Sequence, residues 1–198
     1  IKYPYCLMPQ KEDFTFKLSS GVMILSKYPL ELIKHVVFDV SKKSDKGAQK
    51  GCSLVKININ NKAIFLAGTH LDSKNNNSRS LQYQITNDEI LKPYLNDSIP
   101  LLIAGDFNTD FKSSQYDSMM TSFKLKNFEL NDDRPYTFDE FNTWNVKGYK
   151  AWIDFIFFQE NKNIKVFNQY ILRPVMKYKN AKMDLADHYQ IVIEAVIY

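Results

Sequence analysis

The sequence predicts an α/β domain in which two sheets pack together and helices flank them. Three observations carry this. Apolar runs of strand length recur along the 198 residues, two segments with helical spacing lie between some of them, and several runs end abruptly in acids, amides or histidines. Strands in the majority, with a few helices between them, must be layered to bury both kinds of apolar face. The polar residues at the strand ends would then gather along one edge.

Taken in chain order, strands are predicted at Val22–Leu25, Val36–Val40, Ser53–Ile59, Ala63–Gly68, Leu101–Ala104, Ile153–Phe158 and Gln190–Val196. The alternation Val55, Ile57, Ile59 predicts one solvated face, whereas the unbroken run at Leu101 predicts burial on both. Helical spacing predicts helices over Arg79–Leu95 and Tyr116–Leu125. Asn75, Asn76 and Asn77, between Ser73 and Ser78, read as a surface loop. Residues 1–198 contain no internal repeat and no interdomain linker, so they read as one domain.

Composition narrows the class. Hydrophobic residues at 44% and aromatics at 14% suffice for a core. No apolar run approaches the ~20 residues of a membrane-spanning helix. The opening residues lack a charged region followed by an apolar one, the mark of a signal peptide. The net charge of +4 is mild, and 3 of the 26 basic residues are arginine, the usual residue for bidentate phosphate contacts. The basic runs Ser41–Lys50 and Lys177–Lys182 read as solvated loops or as contacts for an anionic surface. Cys6 and Cys52 could pair or stay free.

The chemistry concentrates in four places. The run Leu101-Leu102-Ile103-Ala104-Gly105 discharges into Asp106-Phe107-Asn108, an acid and an amide that would point the same way if the backbone stays extended. The apolar strand from Ala63 ends in Gly68-Thr69-His70-Leu71. Asp154 lies within the aromatic strand Trp152–Phe158, and Asp187-His188 precedes the last strand. Each of these alone reads equally as a turn or a structural residue. Together they read as a site, because a buried aspartate without a partner is costly. Oxygen-rich candidates without a cysteine–histidine cluster favour Mg²⁺, with Mn²⁺ as an alternative, over zinc.

These motifs, Gly-Thr-His-Leu, Gly-Asp-Phe-Asn, Ile-Asp-Phe-Ile and Ala-Asp-His-Tyr in that order, resemble the endonuclease/exonuclease/phosphatase superfamily of metal-dependent phosphoesterases, and within it the bacterial sphingomyelinase C branch. Further stretches similar to that branch are Gly21–Leu30 with Ser26-Lys27-Tyr28-Pro29, Lys50-Gly51 before Lys56-Ile57, Arg79 and Gln82, Ser114 and Tyr116 with Met119-Met120, Tyr136-Thr137-Phe138-Asp139, and Arg173-Pro174-Val175. The resemblance implies a DNase I-like four-layer sandwich. It implies His188 as general base oriented by Asp154, Asp106 and Asn108 positioning water or a metal-linked phosphate, and His70 donating a hydrogen bond to a phosphate oxygen or the leaving group. The metal set it implies is Asp106, Asn108, Asp187 and His188. Asp139 could orient His70, or serve as an ordinary loop aspartate.

Two departures from the pattern stand out. Ala186 occupies the place of a serine before the terminal Asp-His. Family members open with a strand bearing an asparagine and later a metal-binding glutamate, whereas this chain opens at a point resembling the sequence after that glutamate. Glu12 lies in a polar loop and is not a substitute. The resemblance therefore implies a catalytic domain lacking its N-terminal segment.

Three functions follow. The first is a Mg²⁺-dependent phosphodiesterase acting on a phospholipid head group at a membrane surface, for which secretion is the favoured location. The second is a DNase-type endonuclease acting on nucleic acid, which three arginines do not favour. The third is an inactive or incomplete family member that binds a partner. No obligate protein partner is evident. Phe138, Phe141, Trp144 and Tyr149 could enter a membrane or pack in the core beside Trp152.

Overall fold

The structure, a computed structural model, describes residues 2–10, 18–40, 45 and 47–198. Glu12 and half of the run Ser41–Lys50 lie outside the described residues. Among the described residues, thirteen strands alternate with three α-helices in an α/β arrangement of mixed sheets. The frame is a five-stranded sheet of β3 (Leu30–Val37), β4 (Gly51–Ile59), β5 (Lys62–His70), β6 (Leu101–Asp106) and β9 (Asp154–Phe158), in the order β3-β4-β5-β6-β9. Only the β5–β6 pair is parallel, its crossover carrying the first helices.

Side-chain alternation divides the sheet between two apolar clusters. On one face Leu54, Phe65, Ala67, Leu101, Ile103, Phe155 and Phe157 are buried against Tyr83, Ile90, Leu91, Met119 and Phe123 of the helices. Phe107, Phe155 and Phe157 meet there with ring centroids 5.0–5.9 Å apart. On the other face Val55 and Ile57 pack with Ile24 of β2 (Ile24–Ser26), which pairs with β1 (Tyr5–Leu7). Val55 and Ile57 are thus buried, as their alternation predicts, while of the intervening residues Leu54 is also buried and only Lys56 and Asn58 reach solvent. Leu101–Ile103 are buried on both faces, as the sequence predicts.

A second ribbon, β10 (Ile164–Leu172) with β13 (Gln190–Ile197), lies near β6 and β9. Between β2 and β13 the middle of the sheet stays open. A cavity of about 470 Å³ is lined by Gly21–Leu25, Leu66–His70 and Ala104–Asp106. Another of about 280 Å³ is bounded by Ala104–Asp106, Asp154–Ile156 and Tyr189–Ile191. The two share β6 as a wall.

Several elements depart from the sequence reading. The predicted strand Val36–Val40 begins earlier, as β3, and stops at Val37, with a register shift between Leu32 and Lys34 where it pairs with β4. The first helix starts at α1 (Asn76–Thr86) because Asn75 caps it, its side chain accepting from Ser78 N at 2.9 Å, so the supposed asparagine loop is a helix start. It continues through a π-helical turn (Asn87–Leu91) into α2 (Lys92–Tyr94), where Pro93 has no N–H for the turn behind it. Ser113 caps α3 (Ser114–Phe123). Strand β10 was not predicted, and neither was the hairpin of β11 (Val175–Tyr178) and β12 (Ala181–Asp184). The short pair β7 (Phe138–Asp139) and β8 (Lys150–Ala151) brackets a loop rich in aromatics. Cys6 and Cys52 are free thiols, and burial pushes Cys52 up to about 12.

Candidate active site

Register brings the site together. In the parallel β5–β6 pair His70 stands opposite Asp106, and in the antiparallel β6–β9 pair Asp106 stands opposite Asp154. Alternation puts these side chains on the face away from the helices, at one end of the sheet. Gly105 allows the approach: a Cβ there would lie 1.9 Å from the Thr69 carbonyl oxygen, and its φ is +152°.

Asp106 and Asn108 converge by a different route from the one expected. The extended backbone ends at Asp106, and Asn108 adopts φ +49°. Its backbone N–H donates to Asp106 Oδ1 at 2.8 Å, and its side-chain amide donates to Asp106 Oδ2 and the Leu71 carbonyl, both at 3.1 Å. This is an Asx turn, in which the acid folds the amide back onto itself.

His188, just before β13, places Nδ1 2.8 Å from Asp154 Oδ2. Burial alone would lower the pKa of this imidazole. The Asp154 hydrogen bond and the charges of Asp154, Asp106 and Asp187 outweigh burial and raise it to about 9. Asp106 is raised to about 6, by burial and then by the charge of Asp154. Among the described residues, Asp106, Asp154 and His188 form the one group of three or more acid, histidine or cysteine ligands lying within 4.8 Å of one another. Two carboxylates brought this close to a histidine are an oxygen-rich donor set, which fits a hard divalent cation. The Asp187 side chain is exposed and outside that group.

The sequence reading missed a buried lysine. Lys50 is 4% exposed and donates to Asp45 Oδ2 at 2.9 Å, to the Leu71 carbonyl at 2.7 Å and toward His70 Nε2 at 3.1 Å. It ends the run read as a solvated loop. The Lys-Gly pair was the available signal: at Gly51 a Cβ would lie 2.3 Å from the Val36 carbonyl oxygen, which marks a close strand start. Burial, and then the Lys50 charge, lowers His70 to about 4, so the ring is neutral. With Nε2 facing an ammonium, the ring proton belongs on Nδ1. His70 also lies 3.5 Å from Asp106 Oδ2.

Asp139 has a different task from orienting His70. Its carboxylate accepts from Tyr189 OH at 3.1 Å and Phe141 N at 2.9 Å and lies 3.8 Å from Arg134. Arg79 and Gln82 shape the loop after His70, donating to the Asp72 carbonyl and accepting from Asp72 N at 2.8 Å each. Of the four aromatics with two readings, Phe141, Trp144 and Tyr149 are exposed, Phe141 by 66%, so a core role for them is overturned. Phe138 is half-buried, with its ring 5.1 Å from that of His188. Asn142 and Asn145 tie this loop to the carbonyls of Ala186 and Asp187.

The sequence pattern of the Endonuclease/Exonuclease/phosphatase family matches residues 2–188. Sphingomyelinase C 2 of Leptospira interrogans is 28% identical over 158 residues, which cover 71% of this chain and 24% of that protein. The chain thus spans about a quarter of the length of that relative. A Staphylococcus aureus beta toxin structure superposes with a TM-score of 0.81 at 20% identity, covering 98% of this chain and 78% of the toxin. A mutant of that toxin with bound magnesium ions superposes with a TM-score of 0.73 at 19% identity, covering 100% and 79%. These two likenesses show a shared fold.

Proposed function

Since the chain belongs to the Endonuclease/Exonuclease/phosphatase family, we propose that it is the catalytic part of a divalent-metal-dependent phosphodiesterase that hydrolyses a phospholipid head group in the manner of a sphingomyelinase C. The observation that carries this is the pairing of His188 with Asp154 opposite Asp106 and His70 at one end of the sheet. The sphingomyelinase C relative supports the substrate class. The magnesium-bound toxin supports the metal, with Mn²⁺ as a substitute.

Hydrolysis needs an activated water, neutralised phosphate charge and a stabilised leaving oxygen. In its neutral form His188 takes the proton from water through Nε2, because Nδ1 faces Asp154, which fixes the tautomer. A single Nε2 lone pair cannot bind a cation and accept a proton at once, so we assign His188 to the proton. Asp106 and Asn108 would hold the metal, with the charge of Asp187 acting on the neighbouring His188. When bound, the cation supplies charge neutralisation on the phosphate and a more acidic water. His70 donates from Nδ1–H to a phosphate oxygen, since its Nε2 faces Lys50.

The substrate surface also has candidate contacts. Phe141, Trp144, Val146 and Tyr149 are exposed on the loop tied to Asp187, and Val175, Met176 and Tyr178 are exposed on the hairpin with Lys177, Lys179 and Lys182. Trp144 Nε1 donates to the Asp184 carbonyl at 2.8 Å, joining the two. Apolar side chains among lysines suit the interface of an anionic bilayer.

Phosphocholine release from sphingomyelin vesicles in Mg²⁺ and in EDTA, run beside plasmid nicking, tests the reading. Lipid cleavage abolished by EDTA supports it. Nicking without lipid cleavage would move the substrate to nucleic acid, and silence of the full-length protein in both assays would overturn hydrolysis of either.

A further inference from the structure

Thr137 is fully buried and accepts hydrogen bonds from the backbone of Asp154 and from that of Tyr189, the neighbour of His188. Its hydroxyl oxygen accepts from Ile153 N at 3.1 Å and Asp154 N at 3.2 Å, at the start of β9. Its carbonyl accepts from Tyr189 N at 2.7 Å, one residue beyond His188. Its own N–H donates to the Ala151 carbonyl at 3.0 Å, which anchors it to β8. The next two residues repeat the pattern: Phe138 sets its ring edge against His188, and Asp139 accepts from Tyr189 OH.

Among the described residues no strand pairing joins the start of β9 to the Asp187–Tyr189 segment, because β9 pairs with β6 and β13 pairs with β10. The distance between Asp154 and His188 therefore depends on what bridges those two segments. Thr137 is one such bridge, beside the direct His188–Asp154 hydrogen bond. A valine has the same shape but no oxygen, and would leave two buried backbone N–H groups without this acceptor.

We propose that Thr137 is a positioning residue that holds Asp154 and His188 in register, so that it sets turnover and leaves substrate binding alone. This rests on the phosphodiesterase reading for its kinetic consequence, while its structural consequence can be read without any substrate. Misplacing a catalytic pair by a fraction of an ångström lowers kcat by roughly 10- to 100-fold. A group that contacts no substrate leaves KM within about twofold.

The test compares the full-length protein with Thr137→Val, Thr137→Ala and Thr137→Ser, reading kcat and KM on sphingomyelin vesicles and, separately, the downfield NMR resonance of the proton between His188 and Asp154. The expected result is a lowered kcat with unchanged KM and a lost resonance in the valine and alanine chains, with both restored by serine. If valine prevents folding, alanine against serine carries the same comparison. Folded valine or alanine chains with wild-type kcat and resonance would overturn the proposal, as would a lowered kcat with the resonance intact. Should the wild type cleave no phosphodiester, the phosphodiesterase reading fails and the resonance alone decides the role of Thr137.

Discussion

Lys50 Nζ stands 3.1 Å from His70 Nε2, and its other two N–H bonds reach Asp45 and the Leu71 carbonyl. All three donors of a buried ammonium are thereby used, and one of them fixes which nitrogen of His70 carries the proton. Asp45 is itself held below its ordinary range. Burial opposes this, but the Ser73 backbone N–H and Lys50 outweigh it.

Lys50→Met should therefore have two effects. Removing one member of a buried pair leaves Asp45 with the Ser73 donors but no countercharge and should cost about 3 kcal/mol in chemical denaturation. Losing the second-largest influence on His70 should raise its pKa from about 4, read by NMR titration. An unmoved His70 would contradict the placement of Lys50.

Gly105→Ala should be far more damaging than an ordinary strand substitution. The new Cβ meets backbone, the Thr69 carbonyl oxygen, and φ is in a region alanine avoids. The expected loss is about 3 kcal/mol or more, seen as a large drop in melting temperature. A drop of a degree or two would mean that β5 and β6 are not so close.

The two site histidines should make opposite contributions to stability across pH. His188 is raised to about 9, so its contribution is complete below the unfolded value near 6.5 and is lost as pH rises through 9. His70 is lowered to about 4, so its contribution is complete above 6.5 and is lost as pH falls toward 4. Asp154→Asn should lower the His188 pKa and weaken the alkaline loss. Urea denaturation midpoints across pH, wild type against variant, check both signs.

Much of this arrangement was legible in the sequence, for a physical reason. A strand buried on both faces writes itself as an unbroken apolar run, as at Leu101–Ile103, and a polar residue at its end is conspicuous. His70, Asp106, Asn108, Asp154 and His188 all stood out in this way. Lys50 did not, because it ends a basic run and its burial depends on His70 and Leu71, which only the fold brings near. Strand β10 was hidden by a bulge between Val166 and Asn168 that breaks its alternation. The exposure of Phe141 and Trp144 could not be read from residue types that serve equally in cores.

Mg²⁺ should lower the His188 pKa from about 9. The carboxylates of Asp106 and Asp187 help to raise it, and a cation beside them opposes that influence. NMR titration of His188 with and without Mg²⁺ should show the shift, and EDTA should reverse it. An unchanged titration would place the cation elsewhere.

Phe141→Ser with Val146→Ser should leave the fold intact, since both side chains are exposed. Binding to anionic vesicles should fall roughly 100-fold, about what the loss of two inserted apolar side chains implies. Cosedimentation measures this, and undiminished binding would remove the loop from the membrane contact.

The central claim is that His188, held by Asp154, is the base of a metal-dependent phosphodiesterase. The most direct test is the Mg²⁺-dependent rate of phosphocholine release by the full-length protein and by His188→Ala at matched folding. The account predicts a fall of roughly 100-fold or more with little change in thermal stability. A folded His188→Ala protein that retains the wild-type rate would contradict it.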